Sequence, residues 1–193
     1  GELYTIKANV AELRKTILQL AVMGRLVPQD LNEPPAGELL KEIEVQKQRL
    51  VKEKKIKMPK PVSSISQDDE PFQVPDNWRW VRIAELAESI DYGTSQKTCD
   101  DSSLVPVYRM GNIVDGQLID EGFKYIAPDI DELPRLFLQP NDILFNRTNS
   151  YELVGKSARF TGPAKHATFA SYLIRIRLFD ALLNPVFISQ TMN

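Results

Sequence analysis

The sequence DILFNRTNSYELVGKSA, residues 142–158, places a polar turn between two strand-like runs. Residues 143–145 are apolar and have high β propensity, which predicts a buried strand, and residues 155–160 predict the strand that follows the turn. The turn itself, residues 146–151, carries amides, hydroxyls, a guanidinium and a phenol. Such groups bind base edges and phosphates in DNA complexes, but they also satisfy their own backbone in polar hairpins. The residue types alone leave both interpretations open.

Short strand-like runs separated by glycines fill most of the chain around this turn. The segments between them are too short for regular alternation of strands and helices. This order predicts an α+β fold, in which N-terminal amphipathic helices precede a domain with a twisted mixed β-sheet and short helices. The other predicted strands are 78–83, 105–109, 117–119, 124–126 and 171–178, and short helices are predicted at 83–89 and within 184–193.

The N-terminal part of the chain has the apolar periodicity of helices. It predicts one helix that ends near Gly24 and a second over residues 38–55. A helix of this kind is marginal in water unless its apolar face is covered. Coverage by the core of the same domain and coverage by a partner protein both fit the pattern. The stripe of the first helix consists of Ile6, Val10, Leu13, Ile17 and Leu20.

Composition divides the chain into three predicted parts. Residues 1–57 form a helical arm that docks to partner helices or subunits. Residues 58–71 are rich in Pro, Ser and Asp and poor in apolar side chains, which is typical of a linker. Residues 72–193 form the main domain, which we expect to be truncated at its C-terminal end.

Several classes of protein are disfavoured by composition. The 193 residues are 42% hydrophobic, which is enough to bury a core. No apolar run approaches the roughly 18 residues of a membrane span, and the N-terminus lacks the layout of a signal peptide, so we expect a cytoplasmic protein. A single cysteine, Cys99, and a single histidine, His166, cannot assemble the usual zinc site. We therefore expect no metal site.

Motifs that carry catalysis are missing as well. The sequence has no phosphate-binding glycine loop and no nucleophile elbow. The tetrapeptide Asn184-Pro185-Val186-Phe187 differs by one residue from the Asn-Pro-Pro-Tyr/Phe motif of amino-methyltransferases, and no glycine-rich turn for the methyl donor lies upstream. We expect no catalysis by this chain.

Charges are distributed unevenly along the sequence. The formal net charge of −2 argues against a non-specific nucleic-acid binder, whose affinity rests on many phosphate contacts. Two basic blocks, within residues 47–60 and 135–177, flank an acidic interval at 115–132. We interpret them as a basic working face with an acidic flank; the alternative is that both are simply solvated faces.

Several segments together resemble one protein family. YGTSQK at 92–97, VYRMGNI at 107–113, residues 142–158 and ASYLIRIR at 170–177 are similar to the target-recognition domain of type I restriction-modification specificity subunits. LRKTILQLAVMGRLVPQD at 13–30 resembles a helical segment of the same subunits. The resemblance therefore extends over nearly the whole chain.

This resemblance implies a non-catalytic module for sequence-specific recognition of double-stranded DNA. Complete subunits carry two such domains separated by helices, and each domain reads one part of a split target. The chain would direct modification (methyltransferase) subunits and, through them, a restriction subunit to its part of the target. S-adenosylmethionine, ATP and magnesium are implied for the assembled complex, but none is expected to bind this chain. The apolar stripe is also compatible with a homodimer of the isolated chain.

Candidate site residues follow from side-chain chemistry within the resembling segments. Arg147 and Lys156 are predicted phosphate anchors, whereas the sequence does not separate base readers from residues that support loops. The predicted DNA-binding residues are Thr94, Lys97, Arg109, Asn112, Arg147, Asn149, Ser150, Tyr151 and Lys156. The predicted partner-binding residues are Val10, Leu13, Ile17 and Leu20.

Two other functions are compatible with the same sequence. One is the recognition portion of a single-chain restriction-modification enzyme, whose catalytic motifs would lie outside this segment. The other is a protein-interaction module without DNA binding, in which the polar turn is only a loop.

Overall fold

The computed structural model describes residues 2–30, 32–148 and 154–193. The chain forms two compact units, Gly1–Leu86 and Ala87–Asn193. Helices dominate the first unit and strands the second, so the predicted α+β class is confirmed. No helix in the described part of the chain is long and apolar enough to cross a membrane.

The described residues of the first unit form two long helices and two short helical segments. Helix α1 ends where the sequence predicts, because Gly24 adopts a left-handed φ of 67° and the Arg25 N–H returns to the Leu20 carbonyl. Pro35 is the N-cap of α2, so this helix begins two residues earlier than predicted. The elements are α1 Glu2–Val22, α2 Ala36–Lys52, a 3-10 turn at Gln67–Asp69 and α3 Ile83–Leu86.

A buried lysine joins α2 to α3. The Lys47 side chain is 6% exposed, and its Nζ donates to the carbonyls of Ala84 at 3.1 Å and Glu85 at 3.0 Å. Burial lowers the pKa of this ammonium, and the charges of Glu44 and Glu85 oppose that shift. The cation therefore satisfies carbonyls at the C-terminal end of a short helix that would otherwise lack partners.

The two units divide between Leu86 and Ala87, whereas the sequence predicted a domain beginning at residue 72. Trp78 explains the difference, because its Nε1 donates to Gln29 Oε1 at 2.8 Å and so fixes this segment to the first unit. The strand predicted at 78–83 is wrong, since residues 78–82 have no regular structure. The alternating apolar residues instead provide aromatic rings that anchor this segment. Trp80 packs edge-on against Phe72 with ring centroids 4.9 Å apart.

The second unit consists mainly of short strands. Six strands predicted from the sequence lie within a few residues of their expected ends, but the helix predicted at 83–89 is interrupted by a strand that pairs with the last strand of the unit. The strands are β1 Ala87–Tyr92, β2 Val105–Tyr108, β3 Ile113–Val114, β4 Gln117–Leu118, β5 Lys124–Ile126, β6 Ile143–Asn146, β7 Ser157–Arg159, β8 Thr168–Phe169 and β9 Leu173–Leu178. The helices are α4 Leu133–Leu136 and α5 Pro185–Thr191, with a 3-10 turn at Met110–Asn112.

These strands form three sheets in place of the single mixed sheet predicted. The largest is antiparallel, with the order β1-β9-β6-β7. The second, β5-β2-β8, is mixed because β2 and β8 run parallel. The third is the β3-β4 hairpin, whose Asp115-Gly116 turn has φ values of 49° and 75°, as a two-residue hairpin requires.

An apolar core holds the largest sheet against the surrounding segments. Ile143 and Leu144 on β6 are fully buried, as the sequence predicted for this strand. Phe160, which follows β7, and Phe169 on β8 pack in the same core as Leu144. The core therefore fixes the strands on both sides of the polar turn.

Asn184 has a structural role that explains the methyltransferase-like tetrapeptide. Its Oδ1 accepts hydrogen bonds from the backbone N–H groups of Val186 and Phe187 at 3.0 and 3.1 Å. Asn184 is therefore the N-cap of α5, and Pro185 follows it at the first helical position.

Candidate nucleic-acid interface

Five segments converge at one end of the largest sheet, and we call this surface the loop edge. Tyr92 at the end of β1 and Asn146 at the end of β6 pair with the first residues of β9. The end of β2 joins them, because the Ala170 N–H donates to the Tyr108 carbonyl at 2.9 Å. The loop edge comprises residues 92–97, 109–112, 146–148, 154–156 and 170–172.

Gly93 is needed for this convergence. A Cβ at this position would lie 2.3 Å from the Ala170 carbonyl oxygen and 2.4 Å from that of Phe169. Both atoms belong to the backbone and cannot move aside without displacing a strand. The close approach of β1 to the β8–β9 connection therefore depends on glycine.

Arg147 is held at the surface by an aromatic ring and a carbonyl. Its Cζ lies 4.8 Å from the centroid of the Tyr92 ring, within the range of a cation–π contact. Its Nε and Nη2 both donate to the Ser171 carbonyl at 3.3 Å. The side chain remains exposed, so a positive charge is presented at the loop edge in a defined position.

The other predicted basic contacts are also exposed. Lys97 lies on the loop that follows β1, and Lys156 lies next to β6, where its carbonyl accepts the Asn146 N–H at 2.8 Å. With Arg147, these side chains give the loop edge three exposed cations. Asn149, Ser150 and Tyr151, which complete the predicted polar turn, lie outside the described residues.

Thr94, one of the predicted DNA-binding residues, is buried and hydrogen-bonded within the loop edge. The residue is 4% exposed, and its Oγ1 accepts the Gln96 N–H at 3.1 Å. Its backbone N–H donates to Phe169, and its carbonyl accepts from Ser171, both at 2.9 Å. This buried side chain therefore positions the loop, and its contact with DNA stays a prediction.

Asn112, another predicted DNA-binding residue, is likewise buried and supports the loops. It is 3% exposed, its Oδ1 accepts the Arg109 N–H at 2.9 Å, and its Nδ2 donates to the carbonyls of Ile119 and Glu121 at 3.0 and 2.7 Å. These bonds satisfy most of the capacity of the amide. The half-buried Arg109 reaches across the same loops, because its Nη2 donates to the Gly122 carbonyl at 2.7 Å.

Asn146 closes the base of the polar turn. Its side chain is fully buried, its N–H donates to the Lys156 carbonyl, and its own carbonyl accepts the Gly155 N–H, both at 2.8 Å. Oδ1 lies 3.5 Å from the Thr148 nitrogen. The first amide of the turn is therefore part of its support.

A network of ion pairs accounts for much of the second basic block. Arg175 is 1% exposed, and its Nη2 lies 2.6 Å from Asp91 Oδ2, while Arg135 bonds the other oxygen of the same carboxylate. Arg177 forms a two-pronged pair with Asp142, with Nε–Oδ1 and Nη2–Oδ2 distances of 2.8 and 2.7 Å. These arginines neutralise internal carboxylates, so the sequence interpretation of the whole block as a basic working face is corrected.

Electrostatics within this network favour the charged forms of two groups. Burial would raise the pKa of Asp91, but attraction to Arg175 and hydrogen bonds outweigh it, and the pKa lies below 3.8. Burial would lower the pKa of Arg177, but the hydrogen bonds and charge of Asp142 raise it. Ion pairing thus compensates the desolvation of Asp91 and Arg177, whereas burial and the charge of Arg177 lower the pKa of Arg175 despite its carboxylate partners.

Tyr92 and Tyr172 are loop-edge residues that are not among the DNA-binding residues predicted from the sequence. Their side chains are 61% and 49% exposed, although each adjoins a strand of the core. Both occur inside segments that resemble the specificity subunits. Their position directly beside Gly93 and Ser171 is the sequence signal that could have identified them. The exposure of an aromatic side chain at the end of a strand, however, depends on tertiary structure.

The predicted partner residues of α1 all lie on its exposed surface. Val10, Leu13, Ile17 and Leu20 are 37–59% exposed, and Ile6 extends the stripe. The described residues of this chain therefore leave the apolar face of α1 uncovered, which is not the arrangement of a core helix.

Comparisons with known proteins relate the chain to one family. It is 33% identical over 195 residues to the EcoEI type I restriction enzyme specificity subunit of Escherichia coli, covering 99% of this chain and 33% of that protein. It is 37% identical over 163 residues to the EcoAI specificity subunit of the same organism, covering 80% of this chain and 28% of that protein. The resemblance predicted from the sequence is confirmed, and the chain spans about a third of the length of these curated relatives.

The chain is also similar to a solved structure. The crystal structure of the HsdS subunit from Thermoanaerobacter tengcongensis matches with a TM-score of 0.45 and 17% identity, covering 99% of this chain and 38% of that chain. No protein-family model matches the chain.

Proposed function

We propose that this chain, a relative of the type I restriction enzyme specificity subunits, is a module for sequence-specific recognition of double-stranded DNA. The observation that carries the proposal is the alignment of 99% of the chain with a specificity subunit. The loop edge supports it, because Lys97, Arg147 and Lys156 are exposed there. Basic side chains on loops fixed by a rigid sheet are suited to positioning a protein on the phosphate backbone.

Arg147 is the best-positioned phosphate contact on this proposal. Tyr92 and the Ser171 carbonyl restrict its guanidinium, so less side-chain entropy is lost when DNA binds. A guanidinium has five N–H donors, more than the Ser171 carbonyl occupies. Lys156 supplies a second cation beside the base of the polar turn, and Lys97 a third on the loop after β1.

The chain would act as the recognition part of a larger assembly and not as an enzyme. In this proposal, α1 binds a modification subunit through Val10, Leu13, Ile17 and Leu20, whose exposure supports the assignment. The methyltransferase and restriction subunits would carry the chemistry, with S-adenosylmethionine, ATP and magnesium bound there. The chain would bring them to one part of a bipartite target.

The role of α1 can be tested by replacing Leu13 and Ile17 with lysine. The double variant should lose association with the modification subunit in analytical ultracentrifugation while the unfolding transition of the second unit is unchanged. Association equal to that of the unaltered chain would refute this assignment. Sedimentation of the chain alone also tests the proposed homodimer.

DNA recognition itself can be tested by selection from a random double-stranded library. The purified chain is bound to the library at fixed salt, and bound DNA is recovered and sequenced. We expect a short enriched motif and, for each mismatched base pair within it, an affinity loss of about 1–3 kcal/mol. DNA binding without an enriched motif would contradict specific recognition. Absence of DNA binding would favour the alternative of a protein-interaction module.

A further inference from the structure

A cleft opens beside the loop edge, between the 3-10 turn after β2 and the segment that follows β4. Its volume is about 420 Å³, within the roughly 300–1,000 Å³ typical of small-ligand sites and ample for the edge of a base pair. Tyr172 forms part of its wall and connects it with the loop edge. The other lining residues are Arg109, Met110, Gly111, Asn112, Glu121 and Gly122.

The cleft combines a hydrogen-bond donor with an acceptor. Arg109 brings a guanidinium whose Nη2 is anchored on the Gly122 carbonyl at 2.7 Å. Its buried Nε has no hydrogen-bond partner in the described structure, which is a costly arrangement for a charged group. Glu121 brings an exposed side-chain carboxylate. Arginine and glutamate therefore line one cavity together.

This composition favours a base-pair edge over a phosphate. A carboxylate repels a phosphate, whereas it accepts hydrogen bonds from the exocyclic amino groups of bases. An arginine donates to the acceptor atoms of the same edges. Met110 and the half-exposed ring of Tyr172 add apolar surface of the kind that contacts base faces and methyl groups.

The walls of the cleft are held open by the local backbone. Asn112 fixes one wall to the other through its bonds to the carbonyls of Ile119 and Glu121. Gly111 and Gly122 face open space, since a Cβ at either position would meet no atom within 4 Å. Hydrogen bonds from the side chains of Asn112 and Arg109 therefore hold the walls of the cavity in place.

We propose that this cleft reads one base-pair edge of the DNA target. In this assignment Arg109 donates to the edge, Glu121 accepts from it, and Tyr172 packs against the base. Lys97, Arg147 and Lys156 at the loop edge contact phosphates and determine register. The inference rests on the proposed DNA recognition and adds the identity of the residues that determine sequence preference.

Filling the cleft tests the assignment. Gly111 suits the purpose because its φ is not left-handed and its Cβ direction is open, so Gly111→Leu adds a side chain without strain in the backbone. Gly37→Leu is the matched control, since Gly37 also faces open space but lies on α2 in the first unit. Glu121→Gln is a second variant that removes the acceptor charge at an exposed position.

Library selection is carried out with the unaltered chain and all three variants. Gly111→Leu and Glu121→Gln should each reduce preference at the same one or two adjacent positions of the motif, by roughly 5- to 150-fold, the discrimination of one good side-chain contact to a base. Their salt dependence of binding should equal that of the unaltered chain. Gly37→Leu should retain the whole motif.

Three results would overturn the assignment, and they have different meanings. A complete motif with both cleft variants would place base reading elsewhere while leaving DNA recognition intact. Equal weakening for all sequences with a smaller salt slope would make the cleft a phosphate site. Absence of any motif with the unaltered chain would refute the proposed function itself.

Discussion

Arg175 and Arg147 carry the same charge in opposite surroundings. Arg175 is buried on β9, where it bonds the Asp91 carboxylate and the carbonyls of Arg135 and Phe137. Arg147 follows β6 at the loop edge, where it is exposed and contacts the Tyr92 ring and one carbonyl. The first cation is needed for the fold, and the second remains available to an anionic partner.

The difference shows that the buried, ion-paired residues of a basic stretch should be separated from its exposed residues before the stretch is assigned to DNA binding. A buried guanidinium is tolerated only with a compensating carboxylate, and Asp91 and Asp142 meet that need for Arg175 and Arg177. Exposed cations that lack such a carboxylate keep their charge for a ligand. Net charge along the sequence does not reveal this division, because the pairing partners are distant in the chain.

The largest effect is expected when the interior cation is removed. Arg175→Ala should lower the free energy of unfolding by about 3–5 kcal/mol. It breaks the buried ion pair with Asp91, which keeps only the exposed Arg135 as an arginine partner, and it removes the donor of the Arg135 carbonyl. Urea unfolding followed by circular dichroism measures this loss. Arg147→Ala is the matched substitution at the loop edge and should change the same quantity by no more than about 0.5 kcal/mol. Equal losses for both variants would remove the distinction between the two arginines.

A smaller effect is expected from acid. Because the ion pair with Arg175 and hydrogen bonds hold the folded-state pKa of Asp91 below its ordinary value, the ionised carboxylate stabilises the fold above the unfolded-state pKa. This contribution is lost as pH falls through the folded-state pKa. The free energy of unfolding of the unaltered chain should therefore fall between about pH 5 and about pH 3. Asp91→Asn should be less stable at neutral pH and should have a flatter pH dependence over this range. The same acid dependence in both proteins would show that Asp91 does not contribute through its charge.

Much of the second unit was predictable because its signals are local. Residues 143–145 are a buried strand as expected, since apolar β-branched and aromatic side chains specify such a strand with little tertiary context. The strand at Ala87–Tyr92 was missed, because its pairing with β9 overrides a segment that has helical periodicity. The opposite error occurred at residues 78–82, which were predicted to be a strand. Trp78 and Trp80 anchor this segment, and their spacing produces an alternation typical of a strand.

The candidate site was predictable only in part. Lys97, Arg147 and Lys156 are exposed as a phosphate contact requires. Thr94 and Asn112 have residue types that bind DNA equally well, yet both are buried and hydrogen-bonded to neighbouring loops. Polar side chains that read a ligand and those that support a loop differ in burial and not in chemistry, and burial depends on contacts between segments distant in sequence.

The salt dependence of DNA binding tests the central claim most directly. The slope of log affinity against log salt concentration should decrease in magnitude by about 1.8 in Arg147→Ala/Lys156→Ala, because each phosphate contact contributes roughly 0.9. The control is Arg159→Ala/Lys165→Ala, which likewise removes one arginine and one lysine charge. Arg159 pairs with Ile143 at the opposite end of the β6-β7 ladder, and the Lys165 N–H bonds the Leu138 carbonyl. We predict an unchanged slope for this control, and an unchanged slope for Arg147→Ala/Lys156→Ala would contradict the assignment of the loop edge as the DNA-binding surface.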